Sequence, residues 1–168
     1  LTFTSGVGTF ATAGATGVRI GEAVTTVVPR NEELDHATWV AVFTPTVTAN
    51  AVAAPDGNTT ADRVEDNDGT NVEGLEDDYT VADDSTVWTA TVWVLCTSAH
   101  SVRLGLGLTG GTPVGPTYNT ATCGTTWQRI AVSITNNTTG NVALNLFLYP
   151  TDATGSSTGI AEFWRPQV

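Results

Sequence analysis

The sequence predicts an all-β protein, a two-sheet antiparallel β-sandwich of jelly-roll type, and three observations carry that prediction. Apolar residues recur at every second position through most of the chain, and no stretch keeps the three-to-four spacing of an amphipathic helix over three turns. The alternating runs are short and are separated by clusters of Gly, Asn, Asp, Pro and Thr, the residues that build hairpins and longer sandwich connections. About ten such runs with turns this frequent favour two packed sheets.

Taken in order, the first runs are "LTFTSG", "GVRIG" and "AVTTVVP". They are Gly-rich and weakly patterned, so 1–30 reads as an N-terminal arm or hairpin suited to attachment, and 31–168 as the jelly roll. "NEELDHATW" is the best place for a short helical turn, with Asn31 as its cap and Glu32 and Glu33 in the first turn. "VAVFTPTVTANAV" follows as a strand. Pro55, Asp56 and Gly57 then make a corner: Pro presets the first turn angle, Asp caps its own backbone, and Gly tolerates positive φ. The corner leads into "TADRVED". The acidic segments "EDNDG", "GLEDDY" and "ADDS" read as turns.

Parity then divides the long strands into faces. In "STVWTATVWVLCT" the positions Trp88, Ala90, Val92, Val94 and Cys96 share one side and look like core, while Thr89, Thr91, Trp93 and Leu95 share the other. "HSVRLGLGLTG" sets Val102, Leu104, Leu106 and Leu108 inward and Arg103, Gly105 and Gly107 outward. If these two strands pair, Trp93 stands over a glycine floor with room for a flat ligand; otherwise the glycines relieve twist or admit another backbone. "QRIAVSITN" puts Ile130, Val132 and Ile134 inward. "NVALNLFLYP" puts Val142, Leu144, Leu146 and Leu148 inward and Asn145, Phe147 and Tyr149 outward. The last strand is "GIAEFWRPQ". An outer face with Trp93, Arg103, Asn145, Phe147 and Tyr149 is more aromatic than a solvated face needs, which points to a ligand or a protein partner.

Composition narrows the function. The 168 residues suit one domain with a real core. Seventeen acids face six bases, all Arg, for a net charge of -11, a field that repels nucleic acid and anionic membrane surfaces. An acidic, Lys-free, Thr- and Ala-rich chain is also what a salt-adapted or high-GC source produces. No apolar run approaches the length of a membrane helix, so membrane insertion is not expected, and no signal peptide is visible. Met is absent, so Leu1 reads as the start of a processed protein or of a piece of a longer one. Cys96 and Cys123 are expected as two buried free thiols, with a single bridge between adjacent strands as the alternative.

Catalytic chemistry is thin. His36 and His100 sit in loop-like segments with no nucleophile motif beside them, and there is no G-x-S-x-G, phosphate loop or zinc spacing. Carboxylates for glycoside hydrolysis would have to come from turns, apart from Glu162, which lies in an apolar strand beside Phe163 and Trp164. Such a Glu reads as a hydrogen-bonding residue of a groove, and the chain is expected not to be an enzyme. "DNDG" resembles the start of a calcium loop, with Asp66 and Asp68 as weak metal candidates, but the bidentate Glu downstream is missing. No cofactor is required; a structural calcium ion is the one candidate. Aromatic rings with Arg, Asn and Glu on a sheet are sugar-recognition chemistry, because a ring stacks on a pyranose face while polar groups hold its hydroxyls. The glycan candidates are Trp93, Arg103, Asn145, Tyr149 and Glu162. Trp39, Trp88 and Trp127 read equally well as structural tryptophans.

In the order and spacing of its segments the chain resembles a recurrent bacteriophage protein domain similar to the family 4/9/22 carbohydrate-binding modules, which are jelly rolls. The likeness runs through "LTFT", the approach to Pro29 and Arg30, "NEELDHATW", "VTANAVAAPDGNTTADRVED", "VWTATVWVLC", "TTWQRIAVSIT" and "TGIAEFWRPQV". Leu95, Gln128, Arg165 and Pro166 depart from the family pattern. The resemblance implies a non-catalytic virion surface protein of capsid-decoration, turret or tail-fibre type that contributes to adhesion on host-surface glycans. The alternative is a carbohydrate-binding module of a secreted or phage-encoded polysaccharide-degrading enzyme. Expected partners are cell-surface or extracellular polysaccharide, other virion proteins and further copies of the chain, and the expected location is the virion surface or the extracellular space.

Overall fold

Two antiparallel sheets of five strands each face one another in the computed structural model, which describes residues 27–152 and 157–168. In chain order the strands are β1 (Val40–Val42), β2 (Thr46–Val52), β3 (Ala61–Asp66), β4 (Gly74–Thr80), β5 (Val87–Cys96), β6 (His100–Thr109), β7 (Val114–Cys123), β8 (Gln128–Thr135), β9 (Ala143–Tyr149) and β10 (Gly159–Gln167). The first sheet runs β1-β4-β9-β6-β7 and the second β2-β3-β10-β5-β8. Consecutive strands from β3 to β10 therefore alternate sheets except where β6 and β7 form a hairpin. This is the β-sandwich jelly roll the alternation foretold.

Period-two patterning builds the core. Leu104, Leu106 and Leu108 of β6 and Leu144, Leu146 and Leu148 of β9 point from the first sheet toward Val92 and Val94 of β5, Ile130, Val132 and Ile134 of β8, and Phe163 of β10. Each fully buried aliphatic side chain contributes about 1.5–3 kcal/mol, so this layer dominates stability. Val28 packs into the same core and the Val27 amide donates to the Val168 carbonyl, so the described part of the predicted arm is joined to the sandwich. The rest of that arm lies outside the described residues.

Cys96 and Cys123 are bridged, with Cα atoms 5.7 Å apart. The expected free thiols are corrected by topology: β5 and β7 belong to opposite sheets, and the bridge ties their C-terminal ends across the sandwich. Three further expectations change. "NEELDHATW" forms successive turns, in which the amides of Glu33, His36 and Trp39 bond to the carbonyls three residues back, and not a helix. Residues 40–52 break into β1 and β2 at Phe43, whose φ of 61° lies in the left-handed region, so the two halves join different sheets. Val142 precedes β9 and is 47% exposed.

Two segments read as turns or left unassigned are strands, β4 and β7. In β4, Leu75, Asp77 and Tyr79 are buried while Glu76, Asp78 and Thr80 alternate outward. Asp77 disguises the pattern, because it is buried by accepting a hydrogen bond of 2.8 Å from the Tyr79 hydroxyl. Other acids clamp connections in the same way. Glu73, fully buried, accepts from the amide and hydroxyl of Thr44 and from the Asn67 amide. Asp62 accepts from the amides of Leu34 and Asn50.

Candidate functional site

The outward face of the first sheet gathers the aromatic and polar groups that a ligand would need. Register sets them in three rows. Tyr149 on β9 lies beside Arg103 on β6, which faces Thr120 on β7. One row along, Glu76 on β4, Phe147 on β9, Gly105 on β6 and Tyr118 on β7 are successive neighbours. In the third row Asp78, Asn145 and Gly107 follow one another. Adjacent strands lie about 4.8 Å apart, so the platform from β4 to β7 is about 14 Å wide.

Glycine makes room for the rings. A Cβ on Gly105 would sit 2.5 Å from Cε1 of Tyr118, and one on Gly74 would sit 2.5 Å from Cδ1 of Tyr149. Tyr118 therefore lies over β6, its centroid 6.2 Å from both Phe147 and Tyr149, and the last two stack 6.3 Å apart. Arg103 completes the cluster, its guanidinium carbon 4.1 Å from the Tyr118 centroid and 5.0 Å from that of Tyr149. Tyr149 is only 7% exposed and supports the platform; Tyr118, Phe147 and Arg103 are half-buried and present it to solvent. Burial, with Tyr118 beside it, pushes the Tyr149 hydroxyl up to about 12.

At the other end Asn145 organises two acids. Its amide nitrogen donates to Glu76 and Asp78, and its carbonyl oxygen accepts from the Thr109 hydroxyl. Burial, reinforced by the charge on Asp78, holds the Glu76 carboxyl above its ordinary value. The face thus offers a ring platform with N–H donors at the Arg103 end and carboxylate acceptors at the Glu76 and Asp78 end.

Of the five residues proposed from sequence, the structure brings Arg103, Asn145 and Tyr149 together and puts Trp93 and Glu162 on the other sheet. Trp93 does not stand over the glycine floor, because β5 pairs with β10 and β8 and never with β6. The floor is roofed by Tyr118 and Phe147 from the strands on either side. Trp93 pairs with Trp164 and packs, with Trp127, in a cluster that Ala54 of the 53–60 connection closes. There the Trp127 indole donates to the Ala53 carbonyl and the Trp164 indole to the Thr60 hydroxyl. That "AAPDGNTT" corner is the lid of a small tryptophan cluster. Glu162 is buried with one oxygen accepting two hydrogen bonds from Arg63. Sequence reasoning passed over Tyr118, Glu76 and Asp78, because β7 carries Gly115, Pro116 and Asn119, and β4 an acidic triplet, all signals of turns.

Asp66 and Asp68, the candidate calcium ligands, already accept hydrogen bonds from the protein. Asp66 is buried and accepts from the Thr151 hydroxyl and the Asp68 amide; Asp68 accepts from the amide and hydroxyl of Thr70 and the side chain of Asn71. Those bonds hold the Asp68 carboxyl down to about 2. Among the described residues no group of three or more carboxylate, imidazole or thiol side chains could hold a metal. Nor is any described helix long and apolar enough to cross a membrane.

Two clefts open on the second sheet. One of about 430 Å³ is lined by Thr89, Thr91, Arg129, Ala131, Gln167 and Val168, and one of about 280 Å³ by Glu65, Asp66, Asn67, Thr158, Gly159 and Ile160. Neither contains an aromatic ring, and Arg129 is already bonded to Thr91 and Gln167. The flat platform on the first sheet has more to offer a ligand.

No protein-family model matches the chain, and no curated protein matches it. Solved structures do. The CBM22-1-CBM22-2 tandem domain of Paenibacillus barcinonensis Xyn10C superposes with a TM-score of 0.61 at 16% identity, over 91% of this chain and 51% of that one. The enzymatically active domain of bacteriophage CBA120 tailspike protein 4 gives 0.60 at 12% identity, over 84% of this chain and 21% of that one. A CBM4 structure gives 0.54 at 9% identity, over 82% and 90%. The chain thus spans about a fifth of the tailspike domain and half of the tandem module. At these identities the likeness is one of fold, and the fold is that of the carbohydrate-binding-module jelly rolls.

Proposed function

We propose that this domain is a non-catalytic glycan-binding module that works outside the cell, on the surface of a virion, where it contributes to adhesion on host polysaccharide. The observation that carries the reading is the platform of Tyr118, Phe147 and Arg103 on one sheet face, bordered by Asn145 with Glu76 and Asp78. Sugar rings stack on aromatic faces through their C–H surfaces, and the flanking donors and acceptors fix the hydroxyls. A flat, multi-strand platform suits a chain of sugars better than a single enclosed one. The tailspike similarity supports the virion setting. The tandem-module similarity supports a second setting, a module of a polysaccharide-degrading enzyme, in which the same face does the same work.

Migration of the intact chain through native gels containing single polysaccharides, together with its native mass, tests this. Retardation by one class of glycan, weakened in Tyr118→Ala and Phe147→Ala variants whose unfolding is unchanged, is the expected result. A symmetric oligomer that ignores every polysaccharide would instead make the aromatic face a protein interface.

A further inference from the structure

Arg103 is the one described arginine with no hydrogen bond and no ion pair. Arg30 pairs with Glu33, Arg63 with Glu162 and Arg165 with Glu32, while Arg129 bonds Thr91 and Gln167. In Arg103 even the buried Nε has no partner. Its position is nonetheless defined, since two tyrosine rings hold the guanidinium between them. Acids are near on the same face and do not reach it. Asn145 pins Glu76 and Asp78 on β4, two strands and about 10 Å away by strand spacing. In a chain with seventeen acids and six bases, an arginine fixed by packing and left unpaired is a vacant counter-ion position.

Resting on the glycan-binding reading, we infer that the platform selects a glycan carrying a carboxylate, a uronic-acid type of substituent, which Arg103 receives through the free edge of its guanidinium. That planar fork matches a carboxylate in bidentate fashion, and charge-assisted bonds of this kind are about twice as strong as neutral ones. The acids at the opposite end take hydroxyl donors and repel a second carboxylate, so the bound chain has one direction. A net charge of -11 sets the density: a glycan with one uronate among several neutral sugars is admitted, and a polyanion charged at every sugar is repelled at long range.

Carboxyl reduction of the ligand provides the test, because it turns the carboxylate into a hydroxymethyl group and leaves the backbone intact. Binding of the full chain is measured by calorimetry to glucuronoxylan, gum arabic and alginate, each before and after reduction, and to a neutral β-glucan. The expected result is that a sparsely charged acidic glycan loses at least about tenfold in affinity on reduction. Arg103→Gln is expected to bind the native and reduced forms alike, and Arg103→Lys to recover part of the difference. Equal affinity of the unaltered protein for both forms, or preference for neutral glucan, overturns the inference while leaving glycan binding intact. Failure to bind any glycan overturns both. The comparison of ligands needs no variant, so a fold defect in Arg103→Gln does not obscure it.

Discussion

At the scale of single residues, two glycines decide where the rings of the platform can lie. Gly105→Ala places a methyl group 2.5 Å from Cε1 of Tyr118, so the ring must leave its place over β6. The expected result is a folded protein whose glycan affinity falls about as far as that of Tyr118→Ala, roughly fivefold, the worth of about 1 kcal/mol of ring stacking. Titration of both variants with the same polysaccharide checks it, and a Gly105→Ala protein that binds normally would remove Tyr118 from the site. Trp93 behaves oppositely. It is half-buried against Trp164 and Trp127, so Trp93→Ala is expected to lower stability by about 2 kcal/mol in urea unfolding without changing glycan affinity. The contrast explains what could be read from the chain. Arg103, Asn145 and Tyr149 were legible because alternation with buried leucines fixes the face of β6 and β9. Trp93 was assigned to the wrong sheet because neighbouring strands usually pair, and β5 and β6 do not.

At the scale of elements, strands rich in Val, Leu and Ile announced themselves and strands bearing polar inward residues did not. β4 buries Asp77 where the pattern calls for an apolar side chain, and β7 alternates polar residues along most of its length. Both escaped detection, and with them half of the candidate site. The partners of each strand were also beyond reach, since β3 pairs with β10 and β4 with β9 across most of the chain. The disulfide belongs to this scale, because it joins the ends of β5 and β7 in opposite sheets across 27 residues. Replacing both cysteines by alanine is expected to lower unfolding free energy by about 3 kcal/mol, the usual value for a loop of this size. Urea unfolding of the double variant measures it, and a loss below about 1 kcal/mol would mean that packing alone holds the two ends together.

At the scale of the whole molecule, an acidic fold stores carboxylates in two ways, and they oppose each other in pH. Burial raises Asp62, Asp66, Asp77 and Glu76 above the ordinary carboxylate value, so these groups bind protons more readily in the folded chain. Their ionisation destabilises the fold, and stability is expected to rise as pH drops from neutral toward the ordinary carboxylate range. Hydrogen bonds lower Asp56, Asp68 and Asp84, whose contribution is lost only below the ordinary value. Urea midpoints across this range are therefore expected to peak at mildly acid pH. A steady fall from neutrality would show that the buried carboxylates are better satisfied as anions than their burial implies. The glycan platform itself is tested most directly by mapping backbone amide shifts of labelled protein during titration with an oligosaccharide of the polysaccharide that retards it. Shifts concentrated on β4, β9, β6 and β7, around Glu76, Asn145, Arg103 and Tyr118, are the expected result. Shifts confined to β5, β8 and β10, or none at saturating sugar, would contradict the assignment of that face.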